Sequence, residues 1–482
     1  MLTGMYDDKA PLALSGEQMR RLGYAATDFL ADRIERLGDQ PVTAEWSRAD
    51  LEDKLREAIP TAGTDPEKVL ERVVSDVLSA CAATDHPRFF SFVPSPGNYV
   101  AAVADFLASG ANVFAGNWVG GAGAAQVELV VIEWLRELFG LPAAAGGILT
   151  TGGTQASLLA LHAARTKRFG GVAPQARIYV THQTHAAVVR GFSYLGFGAD
   201  QIRRVRCAPD LTMDADALRQ AIIADRAAGT APFFAVATAG TTNTGAIDPL
   251  AAIADVCSEQ DVWFHVDAAY GGAAILTDQG RQLLRGLERA DSIAVDPHKW
   301  WFQPYEAGCV LVRDVDVLSD AFALHAEYLT ENRAATRPVN FYDYGPQLTR
   351  SFRALKLWMT LQTFGLDAVR AGVAHGMDMA EYAESLLLRT PYWQIVSPAQ
   401  LSVLTFRPHH PGLDAATLDE VTRRIAAAMM KQGFALVLTT DLGDGPVLRF
   451  CSTHPQTTRA DVETTVELLT RFLRETVDKL AV

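Results

Sequence analysis

The apolar run Val262-Trp263-Phe264-His265-Val266 closes on a carboxylate, Asp267, and the run Ser292-Ile293-Ala294-Val295 leads into Asp296-Pro297-His298-Lys299-Trp300. Both runs are almost continuously apolar, as strands buried on both faces must be. Asp267 and Lys299 stand 32 residues apart, about one strand–helix–strand unit. That spacing constrains the chain to a layered α/β arrangement with a mostly parallel sheet.

Further runs agree with this. Strands are expected at 177–180, 233–239, 262–267, Ser292–Val295 and Gly308–Val312, with helices between them at 154–169 and Leu250–Gln260. The last part of the chain changes character. Long helical patterns at 355–374, 377–388, Ala415–Gln432 and 461–480 flank short strand patterns at 401–406, 434–439 and 447–451. Asp444-Gly445 is a turn signal. The first part is helical by period, with Leu22, Tyr24, Phe29, Leu30, Ile34 and Leu37 on one face and a second helical stretch at 65–82. We therefore expect an N-terminal helical segment (1–98), a large α/β domain (99–356) and a small C-terminal α+β domain (357–482).

An amine after one strand and a carboxylate after another are the two groups that pyridoxal 5'-phosphate requires. The lysine meets the cofactor's aldehyde, and the aspartate keeps the pyridine nitrogen protonated so that the ring accepts electrons. Lys299 follows an apolar run and lies between His298 and Trp300, which disfavours a solvated surface position. Asp267 has the alternative of a simple helix N-cap, but Ala268, Ala269 and Tyr270 favour close approach of something flat, with Ala269 against one face of the ring. Upstream, Thr150-Thr151-Gly152-Gly153-Thr154 ends an apolar run and opens a helix. Free N–H groups at a helix N-terminus bind phosphate, so Gly153 and Thr154 are candidate phosphate contacts. His185 follows the 177–180 run and can stack on the ring opposite Ala269. The run Thr238 to Gly245 offers small hydroxyl residues beside the ring. The polar stretch 325–344 has neither helix nor strand period and reads as a lid, with Tyr328 a candidate proton donor.

Composition excludes several classes. The net charge of −13 leaves no basic face for nucleic acid and no attraction to anionic membranes. The charge-free stretch 106–127 contains five glycines, two asparagines and a glutamine, too polar to span a bilayer. The N-terminus has no basic region leading into an apolar one, so no signal peptide is expected. Five scattered cysteines with no CxxC pair read as free thiols in a reducing, cytoplasmic compartment. Gly152-Gly153 lacks the glycine spacing of a nicotinamide site.

Taken together, the segments His86-Pro87-Arg88-Phe89-Phe90, Glu128 to Leu141, Thr184-His185, Ala237 to Thr242, His265 to Tyr270, Asp296 to Trp300 and Phe352 to Trp358 resemble the group II pyridoxal-phosphate-dependent decarboxylases, particularly the aromatic-L-amino-acid decarboxylases. They occur in that family's order and spacing over nearly the whole chain. The resemblance implies fold type I with a seven-stranded, mostly parallel sheet, and a homodimer whose active sites lie at the subunit boundary, the N-terminal segment packing on the partner. It places the cofactor lysine on Lys299, with the adjacent His298 a candidate cofactor contact, and the pyridine partner on Asp267. The ring-stacking histidine falls on His185, phosphate contacts on Gly153 and Thr154, and a cofactor-proximal threonine on Thr242. The lid tyrosine that reprotonates the substrate carbon falls on Tyr328; in relatives that make aldehydes this tyrosine is replaced. The implied reaction is decarboxylation of an L-amino acid, of tryptophan, tyrosine, phenylalanine or dopa type.

The resemblance is not uniform. The family's aromatic pocket falls on Thr84, Phe92, Val93, Pro94, Ser95 and Gly116, fewer rings than usual, and Gly116 is expected to leave room for a larger substrate such as an indole. We take Phe92, Pro94, Ser95 and Gly116 as candidate substrate contacts. Asp296 stands where many members carry asparagine near the phosphate, and a carboxylate there repels phosphate unless it points away or is neutralised. Two rival readings remain. A non-aromatic substrate keeps the mechanism. An aminotransferase needs an arginine clamp on the substrate carboxylate, for which Arg449 is the obvious candidate, although a salt bridge is the plainer role for it. A cofactor-binding chain without activity is disfavoured by the joint presence of Lys299, Asp267, His185 and Tyr328.

Overall fold

The computed structural model describes residues 12–43, 46–323 and 338–480. Tyr328 and most of the expected lid lie outside them. The main sheet has seven strands: β1 (Gly146–Thr150), β2 (Ala176–Val180), β3 (Ile202–Arg204), β4 (Ala231–Thr238), β5 (Trp263–Asp267), β6 (Ser292–Val295) and β7 (Gly308–Val312). They lie in the order β1-β7-β6-β5-β4-β2-β3. The pairs β6/β5, β5/β4, β4/β2 and β2/β3 are parallel, and only β7 runs against its neighbours. Because β7 opposes both β6 and β1, those two run the same way. The carboxyl ends of β1, β2, β4, β5 and β6 therefore open along one edge, where α/β sheets bind ligands.

The near-continuous apolar runs are explained by burial. Every residue of β6 and β7 is buried, and β4 and β5 are buried except at their first residues. His265 is the polar exception inside β5. It is fully buried, and its ring is satisfied by Ser292 Oγ at 2.8 Å and Ser157 Oγ at 3.2 Å. Burial holds its pKa down at about 4, so it stays neutral between the strands.

A second, antiparallel sheet contains β8 (Trp393–Gln400), β9 (Val403–Pro408), β10 (Leu438–Asp441) and β11 (Pro446–Cys451), in the order β10-β11-β9-β8. Its own core gathers Phe406, Phe450, Phe90 and Trp393. The helix Ala354–Leu387 lies against both parts of the molecule. It unites two stretches that the sequence pattern separates near residue 375. Its one non-helical residue is Gly365, at φ +74°, whereas Gly376 stays helical and is small because a Cβ there would meet the Ser452 carbonyl at 2.5 Å. Gly376 thus serves close packing and does not end the helix.

Other elements also depart from the sequence pattern. Strand β8 carried no clear alternation, and its burial is irregular. The 401–406 strand begins later, at Val403, because Leu401 turns at φ +56°. The 434–439 run becomes a strand only from Leu438. Before that, Leu436 pairs in parallel with Phe89, which lies far away in sequence. In the N-terminal part, the helix Gly16–Arg36 buries none of its residues, and the 65–82 helix is Pro66–Arg72 followed by a wide turn over Val73–Val77.

One ion pair joins the layers. Glu128 and Arg350 are both fully buried, at 2.6 Å. Glu128 accepts the Leu149 N–H at 2.8 Å, and Arg350 donates to the carbonyls of Ala115 (3.0 Å) and Leu149 (2.8 Å). Removing one partner leaves an uncompensated buried charge, which typically costs about 3–5 kcal/mol, whereas replacing both with apolar groups costs far less. Arg350→Met is accordingly expected to lower unfolding stability by about that amount, and the double replacement Glu128→Leu with Arg350→Met to recover much of the loss. Urea unfolding of the three proteins decides this; equal losses for single and double variants would contradict it.

Candidate active site

One cavity of about 310 Å³ opens at the carboxyl edge of the main sheet. Each of its walls begins where a strand ends. Thr151, Gly152, Gly153 and Thr154 follow β1, Gln183 and His185 follow β2, and Gly240 and Thr242 follow β4, whose last residue, Thr238, also faces in. Asp267 is the last residue of β5, with Ala269 and Tyr270 just beyond it, and Asp296, His298 and Lys299 follow β6. Parallel registry makes this possible: Thr238 lies beside Asp267, and Asp267 beside Ala294, two residues before Asp296.

All of the expected cofactor contacts in the described residues meet in this cavity: Gly153, Thr154, His185, Thr242, Asp267, Ala269, His298 and Lys299. Asp267 is buried, and its Oδ1 accepts the Ala269 N–H at 3.2 Å. His185 caps the helix Ala186–Tyr194, its Nδ1 accepting the Ala187 N–H at 3.3 Å. Its ring is open at the cavity mouth, yet atoms crowd around it closely enough that desolvation lowers its pKa. Lys299 pushes the same way, against the pull of Asp267 and Asp296. His298 Nδ1 accepts the Ala307 N–H at 3.1 Å. Burial lowers its pKa as well, partly offset by Asp296.

The helix Gly153–Phe169 begins at Gly152 with no side-chain cap, so its first N–H groups face the cavity without a side-chain acceptor. A Cβ on Gly153 would come within 3.1 Å of the Ala269 methyl and 3.0 Å of Asp296 Oδ2. The space is a cradle that only glycine leaves open. The buried hydroxyl of Thr238 also has no partner. An uncapped helix start, a deep carboxylate, an amine and an orphan hydroxyl in one cavity fit pyridoxal 5'-phosphate, with its phosphate, ring nitrogen, aldehyde and ring hydroxyl.

The candidate substrate contacts do not line this cavity. Ser95 instead holds the backbone of the lysine: its N–H donates to the Lys299 carbonyl at 2.7 Å, and its hydroxyl bonds the same oxygen. The Pro94 carbonyl accepts from Thr453 at 3.0 Å. Phe92 is 46 % exposed and lies against Phe89. Gly116 offers no room within the chain, because a Cβ there would strike the Phe114 ring at 2.4 Å and the Leu348 carbonyl at 2.6 Å.

Arg449 is committed elsewhere. It donates to the carbonyls of Thr242 (3.0 Å) and Ser91 (2.6 Å), joining β11 to the loop after β4. Its partners are carbonyls, so the expected salt bridge is in fact a bridge between backbone segments. No arginine lines the cavity among the described residues. The sequence reading assigned no part to Gln183, and left Asp296 without one. Gln183 accepts from Asn243, which in turn accepts from Thr440 at the second sheet; only the folded contacts reveal this relay. Among the described residues, no His/Cys/Asp/Glu group is placed to hold a metal ion.

Comparison with known proteins agrees with this geometry. The family model described as pyridoxal-dependent decarboxylase conserved domain matches residues 49–409. The chain is 42 % identical to an aromatic-L-amino-acid decarboxylase of Bacillus atrophaeus over 94 % of each protein. It is 29 % identical to a phenylacetaldehyde synthase of Arabidopsis thaliana, over 93 % of this chain and 94 % of the other. The solved structure of Oryza sativa TDC with PLP and tryptamine superimposes with a TM-score of 0.90 at 28 % identity, covering 97 % of this chain and 99 % of that one.

Proposed function

The chain belongs to the pyridoxal-dependent decarboxylase family, and from that premise we propose that it converts an aromatic L-amino acid, of tryptophan, tyrosine, phenylalanine or dopa type, to its amine and carbon dioxide. The observation that carries this reading is the meeting of Lys299, Asp267, His185 and the uncapped helix start at Gly153 in one cavity, with no arginine among its described lining residues. The aromatic substrate class rests on the similarity to the Bacillus enzyme.

The cofactor, when bound, supplies an aldehyde and an electron-accepting ring. Each residue then has a separate task. Gly153 and Thr154 hold the phosphate with backbone N–H groups and a hydroxyl. Asp267 keeps a proton on the ring nitrogen. His185 and Ala269 would confine the ring, with Thr242 and His298 as further contacts. Lys299 would supply the amine that holds the cofactor's aldehyde. Among the described residues of the cavity there is no guanidinium to clamp the substrate carboxylate, which suits breaking the bond to it. Tyr328, with His185, returns a proton to Cα. Phe92, Pro94, Ser95 and Gly116 contribute to substrate recognition in a site shared between subunits.

That sharing requires a homodimer, and exposed apolar surface supports one. The helix Gly16–Arg36 leaves Met19, Tyr24 and Ile34 exposed, and Phe106 and Val119 are open elsewhere. Apolar surface of this kind is typical of a subunit contact. A cytoplasmic location is supported by five cysteines without a disulfide. Among the described residues, no helix is long and apolar enough to cross a membrane.

A second reading is aldehyde formation, favoured by the similarity to the phenylacetaldehyde synthase; the tyrosine at position 328 favours the amine. Purified, cofactor-loaded protein is expected to release amine and carbon dioxide from at least one aromatic L-amino acid in a panel that also includes aliphatic and acidic ones. Aldehyde, keto acid, or amine only from a non-aromatic member would each point to a different rival. Asp267→Ala is expected to reduce kcat by a factor on the order of 10³ or more, as expected when a group that stabilises transition-state charge is removed; near-normal turnover would remove Asp267 from its role. Sedimentation equilibrium is expected to give twice the chain mass, and unreduced native protein to titrate five free thiols after denaturation.

A further inference from the structure

Asp296 is 3 % exposed and has an unusual setting for a carboxylate. It precedes the short helix Pro297–Trp300 but makes no side-chain cap bond to it. Its Oδ1 is buried without any hydrogen-bond partner. Its Oδ2 lies 3.2 Å from Lys299 Nζ and 3.8 Å from His298 Nε2. Both oxygens also face the cradle, at 3.9 Å and 3.0 Å from the Cβ positions of Gly152 and Gly153 respectively. The carboxylate therefore does not point away from the phosphate-binding helix start; it sits across from it.

We propose that Asp296 is an anion built into the phosphate cradle, competing with the cofactor's phosphate for the helix start and for Lys299 and so weakening cofactor retention. The inference rests on placing the phosphate at Gly153 and Thr154. Lys299 neutralises part of the charge, but it is also the group that leaves this pairing to meet the aldehyde. His298 adds little counter-charge, since its ring is neutral in its buried setting. A phosphate arriving at the cradle thus meets a fixed negative charge that folding has already desolvated.

The test is Asp296→Asn, which keeps shape and removes charge. Equilibrium titration of the cofactor-free protein, followed by quenching of tryptophan fluorescence, is expected to show pyridoxal 5'-phosphate binding on the order of tenfold tighter than in the parent protein, the scale of one screened charge a few ångströms away. The same titration with pyridoxal, which has the aldehyde but no phosphate, is expected to show little or no gain. Unchanged or weaker phosphate-cofactor binding overturns the proposal. An equal gain for pyridoxal also overturns it, since the effect would then run through Lys299 alone. If the parent protein binds neither compound, the cofactor site itself is wrong and the proposal falls with it. Should the asparagine variant fail to fold, Asp296→Ser gives the same comparison.

Discussion

The ion pair between Glu128 and Arg350 is the constraint on which the site's geometry depends. Two charges without solvent contact survive because they pair with each other and share further hydrogen bonds with the backbone. The guanidinium spans the Glu128 carboxylate and the carbonyls of Ala115 and Leu149, and the carboxylate returns a bond to the Leu149 N–H. Leu149 is the residue before Thr150, where β1 ends and the phosphate cradle begins. The backbone position of the cradle is thus fixed from behind by groups that never face the cavity. Phe341, under the Arg350 guanidinium, ties the last residues of the expected lid to the same anchor.

A second set of bonds fixes the opposite wall. The strap from Phe90 to Asn98 leaves the small sheet and crosses to the lysine. The Phe90 N–H bonds the Leu436 carbonyl, the Ser95 N–H bonds the Lys299 carbonyl and the Asn98 N–H bonds the Phe302 carbonyl. Tyr270, stacked on Trp300, hydrogen-bonds Ser402 Oγ at 2.5 Å. Lys299 is therefore held on both sides by residues belonging to the smaller sheet or leading from it. A shift between the two sheets would move the amine relative to Asp267, whose position is set within the main sheet.

How much of this was legible in the sequence depends on the range of the interactions involved. Asp267, Lys299, His185 and the cradle could be read because each directly follows a buried strand, and buried strands announce themselves as apolar runs. The break at Gly365 and the continuity at Gly376 could not, because both are glycines and only packing against Ser452 and Trp300 tells them apart. Strand β8 was missed because its irregular burial leaves no period of two. The bonds of Ser95 and Arg449 were hidden for a related reason: their partners are backbone carbonyls distant in sequence, which no residue pattern records. Asp296 could be recognised as out of place near a phosphate, but its direction toward the cradle is a property of the fold.

The two histidines of the cavity share a detail that bears on what they are able to do. Each accepts a backbone N–H at Nδ1, His185 from Ala187 and His298 from Ala307. A neutral ring in that arrangement carries its hydrogen on Nε2, and adding a second proton would break the backbone bond. Both rings are thus selected as Nε2–H tautomers that offer a donor to the cavity while resisting positive charge. A flat, uncharged ring can lie against an electron-accepting heterocycle without opposing its charge. Taking a proton on Nδ1 would first have to free that nitrogen from its backbone N–H, so each ring is held as a hydrogen-bond donor and not as a store of charge.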